Sequence, residues 1–285
     1  MTARTQPALQ LIDSEPAGIC DPETGVCRLP QPDENPGLAP TRAADLTSTH
    51  DTSKEQYMPT IAIVGAGPGL GLAIARTFGS EGFNVALVAR TKDKLDGLVD
   101  QLAAEGITAA GFPADVLDRP ALTRALADAA ARFGRIDVLE YSPADASSGP
   151  LAPVHIRETT PENTQPQVEY YLYGAQAATA AVLPAMLEAG TGTLLFTTGA
   201  GSTRPVPVFG NVTAGAAALR NWALNLGAEI AADGIHIGHV AIGVWITDQA
   251  PEARPGIGAL PPAQIAPTYW DLHTQRDTHE VIVTS

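Results

Sequence analysis

A glycine-rich turn between an apolar run and a segment with helical spacing constrains the fold of this chain most. The run Thr60–Val64 is followed by GAGPGLG, in which Gly65, Gly69 and Gly71 have the spacing G-x-x-x-G-x-G, and residues 70–79 have helical spacing. Such a turn exposes a helix N-terminus, whose unpaired N–H groups and dipole favour a phosphate. We expect Gly65 to make the tight turn, Gly69 to admit a pyrophosphate and Gly71 to let the helix pack on the sheet. The alternative is a plain strand-to-helix turn.

Strand and helix patterns alternate along the rest of the chain. Short apolar runs are separated by segments in which apolar residues recur at spacings of three and four. This alternation predicts right-handed βαβ units, so we expect an α/β fold: a single Rossmann-type doubly wound parallel sheet of about seven strands with helices on both faces. The predicted strands lie at residues 60–64, 83–89, 109–114, 136–140, 193–198, 235–242 and 281–283, and the predicted helices at 70–79, 91–105, 118–133, 167–187 and 212–232.

Residues 1–57 differ in composition from the rest of the chain. They are rich in proline, poor in aromatic residues and without sustained periodicity, so they cannot bury enough apolar surface to offset their ordering entropy. We expect a flexible tail over 1–57 and a folded domain over 58–285. A turn in the tail could bring Cys20 and Cys27 together as a redox pair or half a metal site. The favoured interpretation is two free thiols, because their spacing matches no common redox or zinc motif.

Charge and hydropathy exclude several classes of function. The net charge of −14 argues against nucleic acid and anionic membranes as partners. No window approaches the ~18 apolar residues of a membrane span, and the N-terminus has no apolar segment of a secretory signal. We therefore expect a cytoplasmic protein that acts on a small molecule. The histidines form no metal-ligand spacing, and His236 and His239 are interpreted as surface or edge residues.

From about residue 59 to its C-terminus the chain resembles the short-chain dehydrogenase/reductase family. That family has the same G-x-x-x-G-x-G turn, an acidic residue followed by an apolar one after the third strand, as in Asp115 and Val116, and a fourth strand like IDVL. A threonine also lies four residues past a glycine after the sixth strand, as Thr247 does past Gly243. The resemblance implies a bound nicotinamide nucleotide and a homodimer or homotetramer. It places the nucleotide against Gly65, Pro68, Gly69, Leu70, Gly71, Arg90, Thr91, Asp115, Val116 and Thr247.

The end of the second strand indicates which nucleotide binds. NAD-binding folds place a carboxylate there on the ribose diol. This strand ends VALVAR, with Ala89 and Arg90 and no acid. A guanidinium binds a 2′-phosphate with paired, charge-assisted hydrogen bonds, so Arg90 favours NADP(H). The alternative is that Arg90 is only a surface residue at a strand end.

The catalytic residues of the family are replaced in this chain. The Tyr-x-x-x-Lys pair that moves the proton falls on Val212 and Ala216, the serine on Gly199 and the asparagine on Tyr171. A shift of the alignment by one or two residues does not restore the lysine. The only lysines are Lys54, Lys92 and Lys94, all far upstream.

The chain keeps the residues expected to bind the nucleotide and lacks the family's catalytic residues. Two hypotheses follow. The first is an NADP-dependent oxidoreductase in which Tyr171 projects towards the position of the asparagine and Thr198 or Ser202 orients a substrate oxygen. The second is a catalytically inactive NADP(H)-binding pseudoenzyme that acts as a sensor or partner subunit. In the second case Tyr171 is only a packing residue of its helix.

Overall fold

The computed structural model describes residues 57–144, 149–248 and 258–285, together with two short strands, Ile19–Cys20 and Cys27–Arg28. The chain divides into two units, Met1–Lys54 and Glu55–Ser285. In the first unit the two short strands pair antiparallel, with Cys20 opposite Cys27. The remainder of the predicted tail up to residue 56 lies outside the described residues, so its flexibility stays a prediction. Tyr57 is described with the second unit, where its hydroxyl donates to Asp137.

Seven parallel strands form the central sheet of the second unit, which confirms the predicted fold class. In chain order we label them β1 to β7, and their order across the sheet is β7-β6-β5-β4-β1-β2-β3. The order reverses between β1 and β4, the place where doubly wound sheets open a crevice at the carboxyl ends of the strands. The strands are β1 Thr60–Val64, β2 Asn84–Ala89, β3 Ala109–Pro113, β4 Val138–Tyr141, β5 Gly192–Gly199, β6 Ile235–Ile242 and β7 Glu280–Val283.

Helices cover both faces of the sheet. Helices α1, α2 and α7 bury apolar residues against one face, and α3, α5 and α6 against the other. The two hydrophobic cores follow from the alternation of side chains along buried strands. No helix in the described ranges is long and apolar enough to cross a membrane. The helices are α1 Leu70–Ser80, α2 Lys92–Ala104, α3 Arg119–Phe133, α4 Pro161–Val168, α5 Gly174–Ala189, α6 Gly210–Ile230 and α7 Pro262–Gln275.

The region predicted as one helix over residues 167–187 has a different structure. It consists of α4, a π-helix at Glu169–Tyr173 and α5, and it begins six residues earlier than predicted. Thr160 and Asn163 cap α4 reciprocally, and Pro161 fits the first helical position. The sequence TPEN at 160–163 indicates this cap, whereas the prolines of the same stretch are more typical of a loop.

Candidate active site

A cavity of about 730 Å³ opens at the carboxyl ends of the strands. Its walls are the glycine turn after β1, the end of β2, the turn after β4 and the end of β5. This volume lies within the usual range for a small-molecule site. Among the predicted nucleotide residues, those that line the cavity are Gly65, Pro68, Gly69, Leu70, Gly71, Arg90 and Thr91.

The glycine turn leaves open space where side chains would obstruct a ligand. Gly65 has φ +99°, and a Cβ there would lie 2.6 Å from the backbone of Pro143. At Gly71 a Cβ would come within 3.1 Å of the Cα of Ala66, whereas at Gly69 it would meet nothing within 4 Å. Gly69 is also the N-cap of α1 and supplies no side-chain hydrogen bond to the helix. The cavity therefore faces an uncapped helix N-terminus, which suits a phosphate.

A smaller cavity of about 110 Å³ adjoins the first. Asp115 and Val116 line it, and it shares Gly65 and Arg90 with the larger cavity. Thr247 lines neither cavity; its backbone N–H donates to the carbonyl of Leu260. The structure thus brings together nine of the ten predicted nucleotide residues, all except Thr247.

The wall at the end of β2 carries both signs of charge. Arg90 is exposed, and Lys94 and Asp93 line the same part of the cavity. The neighbouring Lys92 is engaged in an exposed ion pair with Asp96 at 2.6 Å. Two cations and one carboxylate therefore line this part of the cavity.

Tyr171 lines the cavity from the π-helix. It is half-buried, and loss of solvent around its hydroxyl raises its pKa above the usual value. Its ring packs edge-on against that of Tyr170, whose carbonyl accepts a hydrogen bond from the buried hydroxyl of Tyr141. Gly174 makes room for that hydroxyl, because a Cβ there would lie 2.1 Å from it. A π-turn aims this tyrosine into the cavity, a placement frequent at functional sites.

Thr198 lines the same cavity at the end of β5, and Ser202 lies buried behind it. The Thr198 hydroxyl donates to Ser202 Oγ at 2.8 Å, and His239 Nε2 lies 2.9 Å from Thr198 Oγ1. His239 Nδ1 lies 2.9 Å from Glu280, which also pairs with Arg220. We call the side chains of Thr198, His239 and Glu280 the histidine chain.

The interpretation of His236 and His239 as surface or edge residues is wrong. His239 is fully buried on β6, and His236 is buried near its start. Burial is the largest influence on His239 and lowers its pKa, against the opposing effect of Glu280. A neutral imidazole that donates from Nδ1 to Glu280 leaves Nε2 as an acceptor, and the single hydrogen of the Thr198 hydroxyl points either to that nitrogen or to Ser202.

Glu140 is a site residue that the sequence interpretation missed. It lies fully buried on β4 and faces the opposite side of the sheet from the histidine chain. Ser142 donates to its Oε2 at 2.8 Å and Thr197 to its Oε1 at 2.9 Å. Burial raises the pKa of Glu140 to about 8, although both hydrogen bonds oppose the shift. The available signal was an acid inside the apolar strand VLEY.

Comparisons with known proteins agree with this architecture. The family model described as short chain dehydrogenase matches residues 59–257. A short chain dehydrogenase of Pseudocercospora fijiensis is 28% identical over 179 residues, which are 62% of this chain and 56% of that relative.

Solved structures are similar as well. An actinorhodin polyketide ketoreductase variant with NADPH has a TM-score of 0.69 and 25% identity, over 80% of this chain and 96% of that one. The L-sorbose reductase of Gluconobacter frateurii, complexed with NADPH and L-sorbose, has a TM-score of 0.69 over 80% and 95% of the two chains; at 22% identity it supports the fold alone. The family model covers most of the sheet and the whole glycine turn, and this chain belongs to the short-chain dehydrogenase family.

Proposed function

We propose that this chain is an NADP(H)-dependent oxidoreductase with a non-standard active site. The observation that carries the proposal is one continuous cavity that joins an uncapped helix N-terminus at Gly69 to the Thr198 hydroxyl. A phosphate site and a polar group for a substrate oxygen are thereby within reach of one bound ligand. The NADPH bound to the similar polyketide ketoreductase supports the choice of nucleotide.

The residues present fit a dinucleotide. The backbone from Gly65 to Gly71 would hold the pyrophosphate, and the smaller cavity at Asp115 and Val116 would take the adenine. Arg90 and Thr91 would contact the adenosine ribose and its 2′-phosphate. Thr247 does not line the cavity, but its neighbour Ile246 does, so the segment around Ile246 would have to move for Thr247 to contact the nucleotide.

The chemistry supplied by a bound nicotinamide is hydride transfer to a carbon such as that of a carbonyl. Thr198, supported by Ser202, would orient the substrate oxygen by a hydrogen bond. Tyr171 would close the opposite wall and donate a second hydrogen bond, but its raised pKa makes it a poor base at neutral pH. We propose that the family's tyrosine and lysine are replaced by Val212 and Ala216. The proton must then come from another group.

The second candidate function is a catalytically inactive NADP(H)-binding pseudoenzyme. The observation that favours it is the absence of any lysine in the sequence beyond Lys94. In that case the nucleotide would regulate binding of a partner. Assembly as a homodimer or homotetramer and a cytoplasmic location stay predictions in either case.

Turnover separates the two functions. We expect calorimetry to detect NADPH binding, and absorbance to record its oxidation by at least one member of a panel of ketones, iminium ions and electron-poor alkenes. Thr198→Val should abolish that oxidation while NADPH affinity is retained; Thr123→Val, exposed on α3, is the matched control. Binding without turnover by the unmodified protein favours the pseudoenzyme, and no binding refutes both functions.

Nucleotide preference tests the assignment of Arg90. The unmodified protein should bind NADPH more tightly than NADH, because a guanidinium attracts the 2′-phosphate. Arg90→Asp should narrow or reverse that preference, measured as two dissociation constants by calorimetry at fixed salt. Arg124→Asp, exposed on α3 and outside both cavities, controls for net charge. Equal affinities for the two nucleotides in the unmodified protein contradict the NADP assignment.

A further inference from the structure

The buried carboxyl group of Glu140 lies one hydroxyl away from the cavity. Its Oε2 accepts from Ser142 Oγ, and Ser142 is half-buried in the cavity wall. Its Oε1 accepts from Thr197 Oγ1, and Thr197 is also a residue of the cavity wall. Among the described residues Glu140 forms no ion pair with a lysine, arginine or histidine. A carboxylate without a cation is costly to bury, so the neutral acid is favoured.

The hydrogen atoms of this cluster can be assigned in one consistent direction. Tyr269 of α7 lies 2.8 Å from Thr197 Oγ1 and is the titratable side chain that faces Glu140 in the described chain. When Glu140 is a carboxylate, Ser142 donates to Oε2. In the neutral acid that burial favours, Tyr269 donates to Thr197 and Thr197 donates to Oε1, and the proton on Oε2 is donated to Ser142 Oγ instead. The hydrogen of Ser142 is then left to point into the cavity.

We propose that Glu140 and Ser142 form a proton relay that protonates the substrate oxygen, an inference that rests on the oxidoreductase function proposed above. Ser142 Oγ would contact the substrate, and Glu140 would act through it. We call this pair the carboxyl relay. It supplies what the missing tyrosine and lysine would otherwise provide.

The relay balances the reduction of a carbonyl group. The hydride brings one electron pair to the carbonyl carbon, and the π bond breaks towards oxygen. The oxygen takes the Ser142 Oγ proton as Ser142 takes the proton of Glu140 Oε2. The products are an alcohol, the oxidised nucleotide and a Glu140 carboxylate, which regains a proton from solvent once the product has left.

The protonation of Glu140 is the first readout, and it does not depend on turnover. Infrared spectroscopy of the nucleotide-free protein should record a carboxylic-acid C=O band that disappears as the pH rises through about 8, and Glu140→Gln should lack that band. The relay is overturned if no such band is recorded at any pH between about 6 and about 9, the range near neutral pH in which such a relay would work.

Kinetics with the best compound of the panel are the second readout. Glu140→Gln and Ser142→Ala should each lower kcat by about 10²–10⁴-fold while NADPH affinity stays unchanged, and Ser142→Thr, which keeps the hydroxyl, should retain turnover. The unmodified protein should lose activity as the pH rises through about 8, and Glu140→Gln should lose that limb. If Glu140→Gln does not fold, Ser142→Ala and Ser142→Thr decide.

The outcomes separate the relay from the function on which it rests. An active unmodified protein whose Ser142→Ala variant has the same kcat and pH profile overturns the relay alone. A protein that binds NADPH but reduces no compound of the panel overturns the oxidoreductase function and the relay with it. Loss of activity in Ser142→Ala together with a titrating carboxylic-acid band supports both.

Discussion

Gly65→Ala is expected to lower the free energy of unfolding by about 3 kcal/mol or more. Gly65 has φ +99°, which an L-residue rarely adopts, and the new Cβ would lie 2.6 Å from both N and Cα of Pro143. Those atoms are backbone, so the turn after β4 would have to move away from the turn after β1. Denaturant unfolding measures the loss, and the melting temperature should fall by about 10 °C for a domain of this size.

Gly69→Ala is the matched control for this substitution. A Cβ at Gly69 meets nothing within 4 Å, so stability should change little. The methyl group would instead enter the space proposed for the pyrophosphate, and NADPH affinity should fall. If Gly65→Ala unfolds at the same denaturant concentration as the unmodified protein, the close approach of Pro143 to Gly65 is contradicted. Unchanged NADPH affinity in Gly69→Ala would contradict the phosphate position.

The second large effect is on how stability depends on pH. Burial raises the pKa of Glu140 in the folded protein to about 8 from an ordinary value of 4.5. Between these values the unfolded chain releases the proton while the folded protein keeps it. Stability from this group is therefore fully present below about pH 4.5 and is lost as the pH rises through about 8, by about 1.4 kcal/mol per pH unit at most.

Glu140→Gln removes this dependence. The effect is measured between about pH 5.5 and about pH 7.5, which lies between the unfolded and folded pKa values of Glu140. Over this range the free energy of unfolding of the unmodified protein should fall relative to that of the variant by about 2–3 kcal/mol. His236 and His273, whose pKa values burial lowers to about 4, add an opposite slope that is common to both proteins and cancels in the difference. Glu188→Gln, exposed on α5, controls for the lost charge. A difference that stays constant over this range means that Glu140 is ionised in the folded protein.

The sheet and the glycine turn were predictable because local sequence determines them. Six of the seven strands begin and end within one residue of prediction, since each is a short, mainly apolar run. Gly65 and Gly71 are required where two backbone segments approach closely. The π-turn at Glu169–Tyr173 was not predictable, because one extra residue in a turn leaves the hydrophobic spacing almost unchanged.

The histidine chain and the hydrogen bonds of Glu140 could not be predicted from the sequence alone. His239 and Glu140 each occupy an apolar strand, and each has a partner far away in sequence: Glu280 is 41 residues from His239, and Thr197 is 57 residues from Glu140. A buried polar group is tolerated only when such partners satisfy it, and those partners meet only in the folded sheet. Sequence spacing therefore favoured a surface position for His239 and gave no role to Glu140.

Two consecutive threonines at the end of β5 connect opposite sides of the sheet to one cavity. Thr197 belongs to the Glu140 side and Thr198 to the His239 side. Because side chains alternate along a strand, inserting or deleting one residue in β5 would exchange the two hydroxyls, and so separate Thr197 from Glu140 and Thr198 from His239 at once. Single substitutions alter one side and leave the other intact. The length of β5 therefore couples the two sides of the sheet, whereas the identity of one side chain on it does not.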